Sequence, residues 1–192
     1  MINKPKEVVI VEAVRTPIGS YKGTLKDINA HQLGSTVINE VIKRSNFDHN
    51  EIDEVIMGQV LTAGMGQNPA RQASINAGIP VSKPAHIVNQ VCGSGLRAVI
   101  SGYQSIKLGE ASIVVSGGQE NMSIAPHSIF YRDQKKISED KLLDTMIYDG
   151  LMDAFNNYHM GVTAENVSEK FNISRDEQDE FALNSQTKTQ LA

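Results

Sequence analysis

The chain has 192 residues, with 22 Asp and Glu against 18 Lys and Arg, for a formal net charge of −4. Apolar residues make up 40%, charged residues 21% and aromatics 5%, ordinary globular values that exclude disorder and collagen-like repeats. The acidic balance without a basic tract argues against nucleic acid as the main partner, and a single cysteine excludes an internal disulfide framework or a Cys-rich metal site.

Strand-like and helix-like stretches then alternate along the chain. The first seven residues lack an apolar signal core, so no export or transit peptide is expected. Glu7 to Ala13 carries Val8-Val9-Ile10-Val11 and reads as a buried strand. His31 to Ser45 follows as a helix, with Leu33, Val37, Ile38, Val41 and Ile42 on one face. Glu54 to Leu61 is the next strand. Asn68-Pro69 supplies an N-cap and a first-turn proline for a helix to about Gly78. Pro84 to Val91 reads as a strand, Leu96 to Leu108 as a helix stopped by Gly109, and Ser112 to Ser116 as a strand ending at Gly117-Gly118. This rhythm predicts an α/β fold, a mostly parallel sheet between helices. No apolar run approaches the ~20 residues of a membrane helix, so neither a membrane span nor a membrane partner is expected, and the chain reads as cytoplasmic.

Residues 1–120 thus form the α/β core. Residues 121–160 show no sustained period and mix charges of both signs, as in Arg132 to Lys136 and Glu139-Asp140-Lys141, which is the character of a loop excursion such as a lid or an interface arm. Residues 161–192 read as a helical return. Ser174 to Glu177 fits a capping box, and the helix it opens meets no Gly or Pro stop, which suggests a longer polypeptide.

Cys92 stands where the strand Pro84 to Val91 gives way to the helix Leu96 to Leu108, followed by Gly93-Ser94-Gly95. Glycines there allow a tight turn and close approach of a ligand to the main chain. A free thiol is only a few per cent ionised at neutral pH, whereas a helix N-terminus with its unpaired N–H groups favours the thiolate and can hold an oxyanion. The competing reading is that a lone cysteine packs as a small hydrophobe.

Several long segments then carry a resemblance. Ala13 to Gly19, Gly66 to Gln72, Asn89 to Ala98, Gly117 to Ser123, Asp149-Gly150-Leu151 and His159-Met160-Gly161, in that order, are similar to the N-terminal half of the thiolases, closest to the biosynthetic acetyl-CoA acetyltransferases (acetoacetyl-CoA thiolases). The resemblance implies a thiolase-like layered fold and an acyltransferase activity. Two acetyl-CoA would condense to acetoacetyl-CoA and CoA, or the reverse, through an acetyl group carried on Cys92, whose backbone N–H would serve as an oxyanion donor. It implies substrate contacts from Leu151, His159 and Met160 to the pantetheine chain, no metal or redox cofactor, and a homotetramer assembled through the excursion. A degradative 3-ketoacyl-CoA thiolase of longer chain range and a non-catalytic thiolase fragment are the alternatives.

The remaining candidates read as structural. His31 and His49 are expected at the surface and His86 as a hydrogen-bonded core histidine. Arg15 and Arg71 are expected to fork onto backbone carbonyls, and Glu120 to tie down a turn after the two glycines, with its pKa raised if buried. The resemblance also implies a histidine of a Gly-His-Pro motif and a second cysteine that assist the nucleophile. This chain contains neither, so little or no turnover is expected from these 192 residues alone.

Overall fold

The computed structural model describes residues 7–132, 138 and 141–191. The chain divides into two units, one running through Gly150 and the other from Leu151 onward.

The first unit is built on a three-stranded parallel sheet of β1 (Glu54–Gly58), β2 (Ala85–Val88) and β3 (Val114–Gly118), in the order β2-β1-β3. Val55 lies opposite both Ala85 and Val115, so β1 is central and carries the most buried residues. Side chains alternate across a strand, and β1 uses both faces. Val55 and Met57 pack with Ile38 and Ile42 of α1 (Ala30–Ser45) and with Ala70 and Ala73 of α2 (Pro69–Asn76). Burying a branched or aliphatic side chain of this size contributes roughly 1.5–3 kcal/mol, so this cluster is the main source of cohesion.

The opposite face of β1 receives α3 (Ser94–Leu108), whose buried residues are small: Ser94, Ala98, Gly102 and Ser105. A methyl added at Gly58 would run into the Ser94–Gly95 peptide, and one at Gly102 into the Ser116 side chain. The helix therefore lies close against the sheet because neither position has a side chain. Ser105 Oγ donates to Glu54 at 3.2 Å at the far end of the same contact. The result is a three-layer arrangement, α1 and α2 on one side and α3 on the other.

Helix boundaries follow the local chemistry. Asn68 caps α2 by accepting from the Arg71 N–H at 3.1 Å, with Pro69 in the first turn. Gly109, at φ +80°, ends α3 in the left-handed conformation. Arg71 forks its guanidinium onto the carbonyls of Val81 and Lys83, as its setting suggested.

Three expectations fail here. Glu7 to Ala13 belongs to no strand, and Val9, Ile10 and Val11 are exposed, Ile10 by 79%. A buried strand needs a ladder partner and cover on both faces. Among the described residues no backbone hydrogen bond joins this segment to a neighbour, and an apolar cleft of about 630 Å³ separates it from Val41 of α1, Val115 of β3 and Tyr103 of α3. His86 is the second failure. It is half-exposed on β2, with Nδ1 3.2 Å from Glu54 Oε1, so it is partnered but not in the core. His31 is also not at the surface as expected: it is half-buried, and its Nδ1 is out of solvent.

The excursion has more local order than its composition suggested. Asn121 caps a short 3-10 turn, Met122–Ile124, and its Nδ2 donates to the carbonyls of Leu25, Lys26 and Ile28. A short antiparallel pair follows, β4 (His127–Ser128) with β5 (Leu143–Asp144), and then a π-helical turn, Met146–Leu151. The charged stretch from Asp133 to Lys136, with Glu139 and Asp140, lies outside the described residues, as do Met1 to Lys6.

The second unit holds α4 (Met160–Phe171) and α5 (Arg175–Leu191). Ser174 opens α5 through the reciprocal bonds the Ser-x-x-Glu spacing predicts: its N–H donates to Glu177 Oε2 at 2.8 Å, and the Glu177 N–H donates to Ser174 Oγ at 3.3 Å. Among the described residues, no helix is long and apolar enough to cross a membrane.

Candidate active site

Parallel strands deliver their C-terminal ends to one edge, and in open α/β sheets that edge is where ligands bind. Here the edge is formed by Gly58 and Gln59, by Asn89 after β2, and by Gly118 to Glu120 after β3. Cys92 sits on it, exposed, in the turn between β2 and α3.

The turn is tightly defined. Gln90 accepts from the Gly93 N–H at 3.0 Å and Val91 from the Ser94 N–H at 3.0 Å. Val91 adopts φ +47°, in the left-handed region. For a β-branched residue that conformation is a genuine outlier, costing roughly 1–2 kcal/mol. Two side chains hold it. Asn89 Oδ1 accepts from the Val91 N–H at 3.0 Å. Ser94 Oγ accepts from the Gln90 N–H at 2.8 Å and donates to the Val91 carbonyl at 2.6 Å. Cys92 is thereby presented one residue ahead of Gly93, the N-cap of α3, which no side chain caps. The positive end of the α3 dipole lies at this place.

A second polar group braces the same edge. Glu120 accepts from the Val60 N–H at 2.8 Å and the Leu61 N–H at 3.3 Å, fixing the loop that leaves β1. Burial pushes its carboxyl above the ordinary carboxylate value, and the two backbone N–H groups pull it back only in part. It ties down a turn, the role its sequence setting suggested. Behind it, Gln119 Nε2 donates to Gln59 Oε1 at 2.8 Å, and Gln59 Nε2 to the Leu61 carbonyl at 2.9 Å, both side chains buried.

In the second unit, Leu151 ends the π-helical turn half-buried, and Met160 begins α4 half-buried. His159 is exposed and caps α4: Nδ1 accepts from the Gly161 N–H at 3.0 Å. An accepting Nδ1 places the proton of the neutral ring on Nε2. The sequence reading missed this capping role, although a polar residue before a helical run is its usual signal. It also missed Asn89 and Ser94. The Asn-x-Val spacing of an Asx turn was a clue to the first; nothing in the sequence marks Val91 for a positive φ.

Together, the α/β layers and the strand–turn–helix junction define a class of protein that presents one exposed cysteine at a helix N-terminus. The model of the thiolase N-terminal domain matches residues 8–192, and the chain belongs to the thiolase family. It is 54% identical over 186 residues to an acetyl-CoA acetyltransferase of Paracoccus denitrificans, covering 97% of this chain and 48% of the relative. It is 54% identical over 184 residues to the acetyl-CoA acetyltransferase of Pseudomonas aeruginosa (95% and 47%), and 53% identical over 185 residues to the cytosolic acetyl-CoA acetyltransferase of Rattus norvegicus (96% and 47%). The chain thus spans about half the length of the curated relatives it matches.

Proposed function

We infer that the protein serves acetyl transfer between coenzyme A thioesters: acetyl-CoA C-acetyltransferase chemistry, condensing two acetyl-CoA to acetoacetyl-CoA and CoA, or running the reverse. The observation that carries this reading is the exposed Cys92 on a held turn at the start of α3, in a chain whose relatives bear that name. In the thiolytic direction the Cys92 thiolate attacks the keto carbon of acetoacetyl-CoA. The bond between that carbon and the α-carbon breaks, and the electron pair leaves as the acetyl-CoA enolate, which takes up a proton. The acetyl group remains on Sγ until the thiolate of free CoA removes it as a second acetyl-CoA. The Cys92 N–H is the proposed oxyanion donor, consistent with its place ahead of an uncapped helix. Leu151, His159 and Met160 are proposed to line the pantetheine path, where a methionine offers an adaptable apolar contact. The chemistry calls for no metal or redox cofactor, because a thioester already has an acidic α-carbon and a good leaving group.

A cytoplasmic setting is supported by the cytosolic rat and mouse relatives, and assembly as a homotetramer through the excursion is proposed with it. The test is intact mass of the 192-residue chain after incubation with acetoacetyl-CoA, beside Cys92→Ala. An acetyl adduct on the wild type alone, without sustained turnover, is the expected result. A folded chain that gains no acetyl group would overturn the assignment of Cys92 as a self-sufficient nucleophile.

A further inference from the structure

Val91 is an unusual residue to find immediately before an exposed cysteine. Its φ of +47° is one that glycine or asparagine adopts readily, and a β-branched side chain resists. Such a conformation persists only when its surroundings over-determine it. Here the surroundings are two side chains, added to the backbone bonds from the Gly93 and Ser94 N–H groups that close the turn. Ser94 Oγ closes the turn from both sides at once, taking the Gln90 N–H at 2.8 Å and giving its proton to the Val91 carbonyl at 2.6 Å. Asn89 Oδ1 holds the Val91 N–H at 3.0 Å. Ser94 is itself only 4% exposed and cannot move away, because its peptide lies directly against Gly58 of β1. The clamp is thus anchored in the sheet, and the strain is local to the residue that aims Cys92.

We propose that Ser94 and Asn89 are positioning residues for Cys92, acting as a clamp that holds Val91 in the left-handed conformation and so keeps the thiol at the start of α3. The proposal rests on the reading of Cys92 as the reactive thiol and adds what keeps it in place. If either side chain is lost, Val91 relaxes to negative φ, and the cysteine swings out of the field of the helix terminus. It then reacts more slowly with electrophiles at neutral pH. Glycine at position 91 suffers no such strain, so a chain with Val91→Gly needs no clamp.

The experiment is a double-mutant cycle on the 192-residue chain, with the rate of Cys92 alkylation by iodoacetamide at pH 7 followed by intact mass. Wild type, Ser94→Ala, Val91→Gly and the double variant are compared, each confirmed as folded by circular dichroism. Ser94→Ala alone is expected to slow alkylation about threefold, the size of a helix-terminus interaction. In the Val91→Gly background the same change should leave the rate essentially unaltered. A purely structural serine would give equal effects in both backgrounds, and that additivity overturns the proposal, as does an unchanged rate in Ser94→Ala. Should Ser94→Ala fail to fold, Asn89→Ala replaces it in the same cycle with the same criteria. The acetoacetyl-CoA adduct is measured in parallel on the wild type. Its absence together with clamp coupling would count against the acyl-transfer reading alone, and its presence without coupling against the clamp alone.

Discussion

His159 shows how one residue can carry two readings that a single substitution separates. Its Nδ1 caps α4 by accepting from Gly161, while the proposed function would have its ring line the pantetheine path. Asparagine is a good N-cap and alanine a poor one, differing by about 1 kcal/mol. His159→Ala is therefore expected to lower thermal stability, and His159→Asn to leave it near wild type. If the imidazole also touches pantetheine, both variants will bind a coenzyme A thioester more weakly, as isothermal titration can read. Glu120 offers a pH-dependent counterpart. Burial holds its folded pKa above the ordinary value of 4.5, so the folded chain binds this proton more tightly than the unfolded chain. Its contribution to stability is full below that ordinary value and is lost as pH rises through the folded one. Relative to Glu120→Gln, the wild type should lose denaturation midpoint as pH rises above 4.5 and through the raised folded value. Parallel midpoints would show that burial does not govern this carboxyl. Asp53 acts in the opposite sense: the Ser112 and Ile113 N–H groups hold its pKa below 3.8, so its contribution is lost only as acid drives the pH through that lowered value.

Among the elements, what was legible in the sequence were the pieces whose chemistry is local. The Asn68-Pro69 start, the Gly109 stop and the Ser174–Glu177 box each satisfy backbone groups within a few residues, and each stands where the spacing predicted. Ser174→Ala should cost α5 about 1 kcal/mol and reduce helical ellipticity; an unchanged spectrum would mean the box is ornamental. The elements that could not be read depend on distant partners. Val8 to Val11 has the composition of a core strand, yet its state is decided by whether another chain segment offers a ladder edge and a covering face. The approach of α3 to the sheet is likewise invisible in sequence order, since it depends on Gly58 meeting a peptide far along the chain. Gly58→Ala is expected to destabilise the first unit by roughly 1–3 kcal/mol through overpacking and to disturb the turn that carries Cys92. A thermal melt beside the alkylation rate of Cys92 would read both effects. Cys92 itself was legible as a junction residue because strand and helix signals flank it; the hydrogen bonds around it were not.

At the scale of the molecule, Val9, Ile10 and Val11 on the N-terminal segment, with Leu96 and Tyr103 on the outward face of α3, leave large apolar side chains in water. Exposed apolar side chains of that size favour association. Sedimentation velocity over a dilution series should show mass rising with concentration, and a constant monomer mass would refute it. Whatever that reversible association turns out to be, the covalent kind is limited by arithmetic. An exposed cysteine with no second thiol in the same 192 residues has nowhere to place an intramolecular bridge. An oxidant such as diamide can therefore link two copies and stop there: a non-reducing gel should show a band at twice the chain mass, cleared by dithiothreitol, and no ladder above it.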